Sequence, residues 1–233
     1  MPPGGFTPPG AAPPPPPGGG TPWERRAQIG FGAALVETTQ QVLTAPTAFF
    51  RSMPVTGGIG GPLLYAVIVG YAGLIASTLY MFVLQATLGS AWTFGRHGEL
   101  DRLMPFLRGG MGLVMQVIFG PIQVVIGLFV VTALVHLALM LLGGATRGFE
   151  ATFRVAAYSE AAMLIRIIPA CGDLIAVAYF IVLAIIGLSE AHRISKGRAA
   201  AAVLLPLILL CCCCAGIVAL AVGGLASALG HMQ

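Results

Sequence analysis

Five long apolar stretches occupy most of the chain after about residue 60, and short polar segments separate them. A helix needs about 20 mainly apolar residues to cross the hydrocarbon core of a bilayer. The pattern therefore predicts an all-α integral membrane protein, a bundle of five transmembrane helices that occupies residues 62–233. The predicted helices cover residues 62–88, 112–142, 151–168, 173–188 and 199–229.

Composition agrees with this pattern. Of the 233 residues, 57% are hydrophobic and 9% are charged, whereas about 25% of the residues in an ordinary soluble domain are charged. The lipid bilayer is therefore the first expected partner. The net charge of +4 is better explained by orientation of the helices than by binding of nucleic acid, so no nucleic-acid partner is expected.

Basic residues near the predicted helix ends are divided unevenly between the two sides of the membrane. Because the cytoplasmic side carries the excess of Lys and Arg, the division predicts a cytoplasmic N-terminus and a C-terminus outside. The richer side has Arg25, Arg26, Arg51, Arg147, Arg154, Arg193, Lys196 and Arg198, and the other side has Arg96, Arg102, Arg108 and Arg166.

The residues before the first membrane helix form two different segments. Residues 1–22 are nearly all Pro, Gly, Ala and Thr and bury too little apolar surface to offset the entropy of ordering, which predicts a disordered tail. Residues 23–61 contain an amphipathic helix that either lies in the membrane interface or packs on the cytoplasmic face of the membrane domain. Its apolar face has Leu35, Val36, Thr39, Val42 and Leu43, opposite Glu37, Gln40 and Gln41.

Arg166 and Asp173 flank the chain-breaking turn at residues 169–172. Asp173 opens the fourth predicted helix, where a carboxylate is stabilised by free backbone N–H groups. Arg166 is near enough to the membrane boundary to extend toward it. We interpret the two as boundary charges that can pair across the turn.

Glu160 lies about nine residues into the third predicted helix, roughly 13 Å from its start. An ionised carboxylate at this depth is costly, so it should be paired, protonated or directed into a cavity. His136, in the second predicted helix, lies at a comparable depth. The sequence predicts a Glu160–His136 contact, which either fixes helix register or handles protons or cations.

Four consecutive cysteines, residues 211–214, lie in the fifth predicted helix. Neighbouring residues of a helix point about 100° apart, and the spacing of a zinc site is absent, so no metal is expected. Small residues four apart let helices approach closely, which predicts tight packing within the bundle or in a homo-oligomer. This small-residue ladder has Cys211, Ala215, Ala219, Gly223 and Ser227.

Common catalytic motifs are missing from the sequence. It has no HExxH, GxSxG, P-loop or dinucleotide-binding motif, and its four His and eight acidic residues are scattered. The sequence therefore predicts no enzyme and no cofactor. Phospholipid chemistry by residues that meet only in space is left open by sequence alone.

An ordered set of landmarks marks the second half of the membrane region. The set has Gly143-Gly144, Phe153, Tyr158-Ser159, Pro169, Gly172, Ile186-Gly187-Leu188, Glu190, His192, Gly197 and Pro206. In this order and spacing it resembles the Yip1 family of five-helix membrane proteins, over about residues 45–210. The resemblance implies a five-helix bundle with a cytoplasmic N-terminus, in agreement with the charge count.

The resemblance also bears on partners and location. Eukaryotic members are implicated in vesicle traffic and contact Rab-type GTPases, but their tyrosine- and glycine-containing cytoplasmic motifs are not evident in this sequence, so no Rab-type partner is expected. Abundant Ala, Gly and Pro with a single Lys indicate a GC-rich bacterial genome and hence a bacterial inner membrane. The alternative is a eukaryotic Golgi or endoplasmic reticulum membrane.

Together these features favour a nonenzymatic scaffold or adaptor in membrane organisation or trafficking. Its partner would be another membrane protein or a second copy of the chain. The alternative is a small transporter or channel with an intramembrane polar site at Glu160 and His136.

Overall fold

The computed structural model describes residues 20–92 and 99–230, without the side chains of 85–86, 88–92, 99–108 and 217–230. Most of the predicted tail, and Arg96, lie outside these ranges. Each regular element of the described chain is helical. The α-helices are α1 Arg26–Ile29, α2 Phe31–Thr44, α3 Pro46–Ser52, α4 Gly60–Trp92, α5 Glu99–Leu141, α6 Gly148–Ser159, α7 Gly172–His192 and α8 Lys196–Gly230; a 3-10 segment, Glu160–Ile167, follows α6 directly.

Four of these helices are long and apolar enough to cross a membrane. Their outward side chains stay exposed, as Val130 and Leu174 illustrate, which is expected of helices that meet lipid. These four correspond to the first, second, fourth and fifth predicted helices, except that α5 begins at Glu99 rather than near residue 112. The spans are Gly60–Leu84, Gly109–Leu141, Gly172–His192 and Lys196–Gly216.

The third predicted helix, residues 151–168, differs from its prediction. It is α-helical only to Ser159 and continues as the 3-10 segment, and it is not among the four membrane-length helices. α6 and the 3-10 segment pack against α4, α5 and α7, and residues 151–159 are all buried. At 1.5 and 2.0 Å of rise per residue the pair is about 34 Å long, so it is an inner helix whose polar composition other helices cover.

Aromatic side chains close one end of the bundle, at which α4 begins and α7 terminates; we call it the capped end. Trp23, Tyr65 and Tyr158 are fully buried there. The Tyr65 ring centroid lies 5.7 Å from that of Trp23 and 5.3 Å from that of Tyr158. The opposite end carries the turn at residues 169–172 and is called the hairpin end. The N-terminal segment is therefore part of the core and not an appendage.

α2 runs down the side of the bundle from the capped end. The Thr39 and Tyr65 hydroxyls are 2.9 Å apart near the start of α4. Further down, the Tyr179 hydroxyl donates a hydrogen bond to the Leu43 carbonyl. Because Tyr179 lies 13 residues before the last residue of α7, the C-terminal end of α2 is about 20 Å from the capped end.

α3 returns the chain to the capped end. Phe50 is buried and packs on Gly187, where a Cβ atom would come within 3.1 Å of its ring. One turn further along α7, the Glu190 carboxylate accepts two hydrogen bonds of 3.1 Å from Arg51, the residue after Phe50. α2 and α3 thus form a re-entrant helical hairpin whose tip, at Ala45, lies within the length of the membrane helices.

The buried face of α2 is rotated relative to the predicted one. Ala34, Thr38 and Val42 are buried, whereas Val36, placed by prediction on the apolar face, is 63% exposed. The prediction turned the large aliphatic side chains toward either the membrane interface or the membrane domain, whereas the small residues Ala34 and Thr38 face the bundle, where α2 packs against α6 and the 3-10 segment.

Candidate functional site

Arg154 of α6 is the most connected charged residue at the capped end. Its side chain is fully buried, with Nε donating to the Pro54 carbonyl at 2.6 Å and Nη1 to the Gly58 carbonyl at 2.8 Å. Nη2 donates to Glu24 Oε1, and Glu150 lies 3.9 Å away, one turn earlier on α6. The three guanidinium nitrogens therefore bind two other segments of the chain, the loop between α3 and α4 and the residues around Glu24.

The loop that receives Arg154 is tied back to α6. The Gly58 backbone N–H donates to Glu150 Oε1 at 2.6 Å while the Gly58 carbonyl accepts from Arg154. Gly57 and Gly58 have φ values of 122° and 90°, a region that side chains with a Cβ rarely adopt. These glycines let the loop turn its carbonyls toward the guanidinium.

Residues 20–24 form what we call the N-terminal plug. Glu24 accepts hydrogen bonds from Arg154 and, through Oε2, from the Thr21 N–H at 3.0 Å. The Thr21 hydroxyl lies 2.9 Å from the Tyr158 hydroxyl. Trp23 donates from Nε1 to the Gly61 carbonyl at 2.7 Å. The plug is fixed by polar contacts to α4 and α6 as well as by apolar burial.

A second polar chain links α5, α6 and α7. The Arg147 backbone N–H donates to His192 Nδ1 at 3.2 Å, so in a neutral His192 ring the proton is on Nε2. Nε2 then donates to the Thr152 hydroxyl at 3.0 Å, and that hydroxyl donates to His136 Nδ1 at 2.8 Å. Each donor has one acceptor, and Thr152 joins the two imidazoles.

The predicted Glu160–His136 contact is wrong. His136 bonds to Thr152, which lies eight residues before Glu160 and so about 12 Å away along a helix. The Glu160 carboxylate instead lies between α4 and α5, where a Cβ on Gly70 would be 2.9 Å from its Oε2 and 3.1 Å from Val124. The two residues also lie at different depths, because α6 begins at Gly148 and Glu160 is about 18 Å from its start rather than the predicted 13 Å.

Glu160 begins the 3-10 segment, and its carboxylate forms no hydrogen bond or ion pair with the described residues. Gly70 and Gly73 of α4 let this segment approach so closely that a Cβ on Gly73 would lie 2.1 Å from the Met163 carbonyl oxygen. On the α4 side the Glu160 carboxylate therefore lies against Gly70, with Val124 of α5 beside it.

The predicted pairing of Arg166 with Asp173 is confirmed. Arg166 Nε lies 3.0 Å from Asp173 Oδ1, although Nε does not meet the geometry of a hydrogen bond. Ser77 of α4 donates to Asp173 Oδ2 at 3.1 Å. Asp173 lies in the first turn of α7 without capping it, so the pair ties α4, α7 and the 3-10 segment at the hairpin end.

An apolar cavity of about 230 Å³ lies between α5, α6, α7 and α8. Its wall is aliphatic apart from Phe180 and two hydroxyls, those of Thr132 and Thr152. Thr152 bonds both imidazoles, whereas the Thr132 hydroxyl is buried without a partner in the described chain. This cavity is suited to hydrocarbon rather than to a polar solute.

The small-residue ladder does not face the rest of the bundle where it is described. Cys211 and Ala215 are exposed on α8, and the side chains of Ala219, Gly223 and Ser227 lie outside the described part. α8 packs against α5 and α7 near its start, where Ala199, Ala202 and Val203 are buried. Packing of the ladder across a homo-oligomer stays a prediction.

The sequence interpretation missed Arg154, Thr152 and the N-terminal plug. Arg154 was counted only as a boundary charge, yet it follows Glu150 by four residues, a spacing that places the two on one helix face. Trp23, after a Pro- and Gly-rich segment, was a signal for ordered structure. Neither signal identifies the backbone carbonyls that Arg154 binds.

Most of the chain matches a known protein family. The Yip1 domain family model matches residues 41–220, about three quarters of the chain, and includes Arg154, His136 and Glu160. Comparison with curated proteins gave no match, and neither did comparison with solved structures. The matched range begins within α2 and leaves the N-terminal plug outside it. The chain belongs to the Yip1 domain family of membrane proteins.

Proposed function

We propose that this protein is a nonenzymatic membrane scaffold or adaptor that binds another membrane protein through the outer face of α2. The inner helix supplies a fifth crossing in this proposal. The capped end, which carries the larger group of basic residues, is cytoplasmic, and the C-terminus lies outside. A bacterial inner membrane is the proposed location.

The outer face of α2 carries the argument. Glu37, Gln40, Gln41 and Thr44 are exposed there, along the flank of the helix that begins beside the buried Thr38. They lie between the capped end and a depth of about 20 Å, alongside helices of membrane length. Hydrocarbon gives amide and carboxylate groups no hydrogen bonds, so polar side chains at this depth face protein or a water-filled space. A partner helix with polar side chains satisfies them.

Site-specific photo-crosslinking in native membranes tests the proposal. A benzophenone amino acid at Gln41 is expected to give one discrete protein adduct, and the same probe at Val130, an exposed apolar position of α5, is expected to give lipid adducts alone. Adding Gln40→Leu and Glu37→Leu should remove the Gln41 adduct. The scaffold proposal fails if Gln41 gives no discrete adduct, or if the two leucines leave it unchanged.

One observation favours a second function. Glu160 is a carboxylate at mid-depth without a contact partner among the described residues, as expected in a small transporter or channel. His136 lies elsewhere, so this alternative now depends on Glu160 alone. Cation flux in reconstituted vesicles that Glu160→Gln abolishes, and that His136→Ala leaves intact, would support transport over the scaffold.

A further inference from the structure

The cavity between α5, α6, α7 and α8 extends along the hydrocarbon depth of the bundle. Thr152, at one end of its lining, is four residues into α6, and Leu210 is fourteen residues into α8. At 1.5 Å per residue these positions lie about 6 and 21 Å from the capped end. The cavity is therefore elongated along the direction that lipid chains follow.

Its side opens outward between the membrane helices. Leu134, Val177 and Leu207 belong to the wall and are 45%, 44% and 41% exposed. At about 230 Å³ it is larger than the apolar cavity of about 150 Å³ that holds benzene in a well-studied case. A segment of hydrocarbon chain fits, and it can enter sideways from the bilayer.

Unpaired positive charge lies above the cavity at the capped end. Arg147 hydrogen-bonds through its backbone to His192, which bonds the cavity residue Thr152. Arg198 lies beside Gly144, in the gap between α5 and the start of α8. The side chains of both arginines are exposed, and neither forms an ion pair within the described ranges.

The nearby carboxylates are already engaged. Glu190 pairs with Arg51, and Glu150 lies beside Arg154. Arg193 and Lys196 are also exposed and add to the positive field. A phosphate at this level would therefore meet cations without a competing carboxylate contact, and basic residues near the headgroup region attract anionic lipids.

We propose that this cavity binds one acyl chain of an anionic phospholipid, whose phosphate lies against Arg147 and Arg198. The wall recognises the hydrocarbon and the two guanidinium groups select the charge. This site lies on the side of the bundle formed by α5 and α8, apart from the outer face of α2, so its test is independent of the scaffold proposal.

Native mass spectrometry tests the chain-binding part. The full-length protein is purified in dodecyl maltoside and incubated with equal amounts of phosphatidylglycerol and phosphatidylcholine. Wild type should retain one phosphatidylglycerol. Ala184→Phe, which fills the cavity, should lower this retention by about tenfold or more because the chain and the ring compete for one volume. Ala178→Phe, the same change at an exposed position of α7, should leave it unchanged.

Folding is checked by gel filtration and circular dichroism. If Ala184→Phe does not fold, Val177→Phe blocks the open side from an exposed position and should also lower retention. Wild type retaining no lipid, or a cavity variant retaining as much as wild type, would refute the chain site. If the wild type is a dimer without retained lipid and the cavity variant is a monomer, the chain site would also be refuted. The cavity would then be covered by a second copy of the protein.

A second set of variants tests whether Arg147 and Arg198 select an anionic lipid. Arg147→Gln with Arg198→Gln should reduce the preference for phosphatidylglycerol over phosphatidylcholine by about tenfold. Arg25→Gln with Arg26→Gln removes the same charge from the N-terminal side of the capped end, leaves the Arg51–Glu190 pair intact, and should preserve the preference. Equal effects of the two pairs would contradict a phosphate site at Arg147 and Arg198.

Discussion

The two halves of the inner helix bury charge in opposite ways. In α6, Arg154 has an acceptor for each of its three nitrogens and is fully buried. In the 3-10 segment, Glu160 has no contact partner among the described residues, and Arg166 is paired with an exposed carboxylate. The halves differ because α6 faces loop carbonyls and the N-terminal plug, whereas the 3-10 segment faces glycines of α4.

Arg154 is a buried charge whose hydrogen bonds stabilise the fold, whereas the Glu160 carboxylate is a charge without such bonds to the described residues. Removing one partner of a buried, satisfied pair leaves other groups without hydrogen bonds. Removing a charge that lacks contacts takes away an unfavourable term instead. Substitutions in α6 and in the 3-10 segment should therefore change stability in opposite directions.

Arg154→Gln should have the largest effect. It leaves the Pro54 and Gly58 carbonyls and the Glu24 carboxylate without their donor, and breaking a buried ion pair costs about 3–5 kcal/mol. We expect the free energy of unfolding to fall by about this amount, measured by SDS titration in dodecyl maltoside with far-UV circular dichroism. Arg154→Lys should rescue little, because one ammonium cannot reach three separated acceptors.

If Arg154→Gln lowered the free energy of unfolding only slightly, the N-terminal plug would be held by apolar burial alone. Trp23→Ala distinguishes the two contributions, since it removes the buried ring and leaves the guanidinium contacts to the loop. Protease cleavage after Arg25 or Arg26 reports whether the plug has come away in either variant.

Gly73→Ala should have the next largest effect, on the 3-10 segment. The new Cβ would lie 2.1 Å from the Met163 carbonyl oxygen, and backbone on both sides must separate. We expect a loss of about 1–3 kcal/mol in the same titration, as for other overpacked cores. Gly127→Ala is the matched control, because its Cβ meets nothing within 4 Å and alanine favours a helix by about 0.5–1 kcal/mol.

If Gly73→Ala left the free energy of unfolding unchanged, the 3-10 segment would be able to adapt its position relative to α4. The geometry of this segment would then be a consequence of the turn that follows and not of the close helix contact. Gly172 provides that comparison, since a Cβ there would lie 2.7 Å from the Ile165 carbonyl.

The outer helices could be predicted from the sequence, whereas the change of geometry within the inner helix could not. The four outer helices were predictable because each buries one side and exposes apolar side chains on the other, so hydropathy and length identify them. The end of the α-helix at Ser159 was not, because no Gly or Pro marks the change and its closest contacts are with Gly70 and Gly73, about 90 residues away.

The charged residues follow the same rule. The Arg166–Asp173 pair was predictable because the turn brings together residues close in sequence. Arg154 with Glu24 spans 130 residues, and His136 bonds to Thr152, about 12 Å nearer the capped end than Glu160. A single sequence identifies membrane-length helices and pairs close in sequence far better than it places side chains of two different helices at the same level.

Glu160→Gln should stabilise the protein modestly. The amide keeps the shape of the side chain and removes a charge for which the described residues offer no contact partner, and an intramembrane charge is unfavourable. We expect a gain of about 1 kcal/mol at neutral pH. Glu150→Gln is the control on α6 and should instead destabilise, since its carboxylate accepts from the Gly58 N–H and lies near Arg154. Destabilisation by Glu160→Gln would reveal a donor that compensates the carboxylate.

Arg166→Gln should have the smallest effect, below about 1 kcal/mol, because its partner Asp173 is 57% exposed and exposed pairs contribute little. Arg166 also lies on the same 3-10 segment as the oppositely charged Glu160, so part of the loss should come from Glu160 and not from Asp173. Measuring Arg166→Gln alone and together with Glu160→Gln separates the two contributions. If Arg166→Gln no longer lowers the free energy of unfolding in the Glu160→Gln background, the effect comes from the interaction of Arg166 with Glu160. If the decrease persists, it comes from the Arg166–Asp173 pair at the hairpin end.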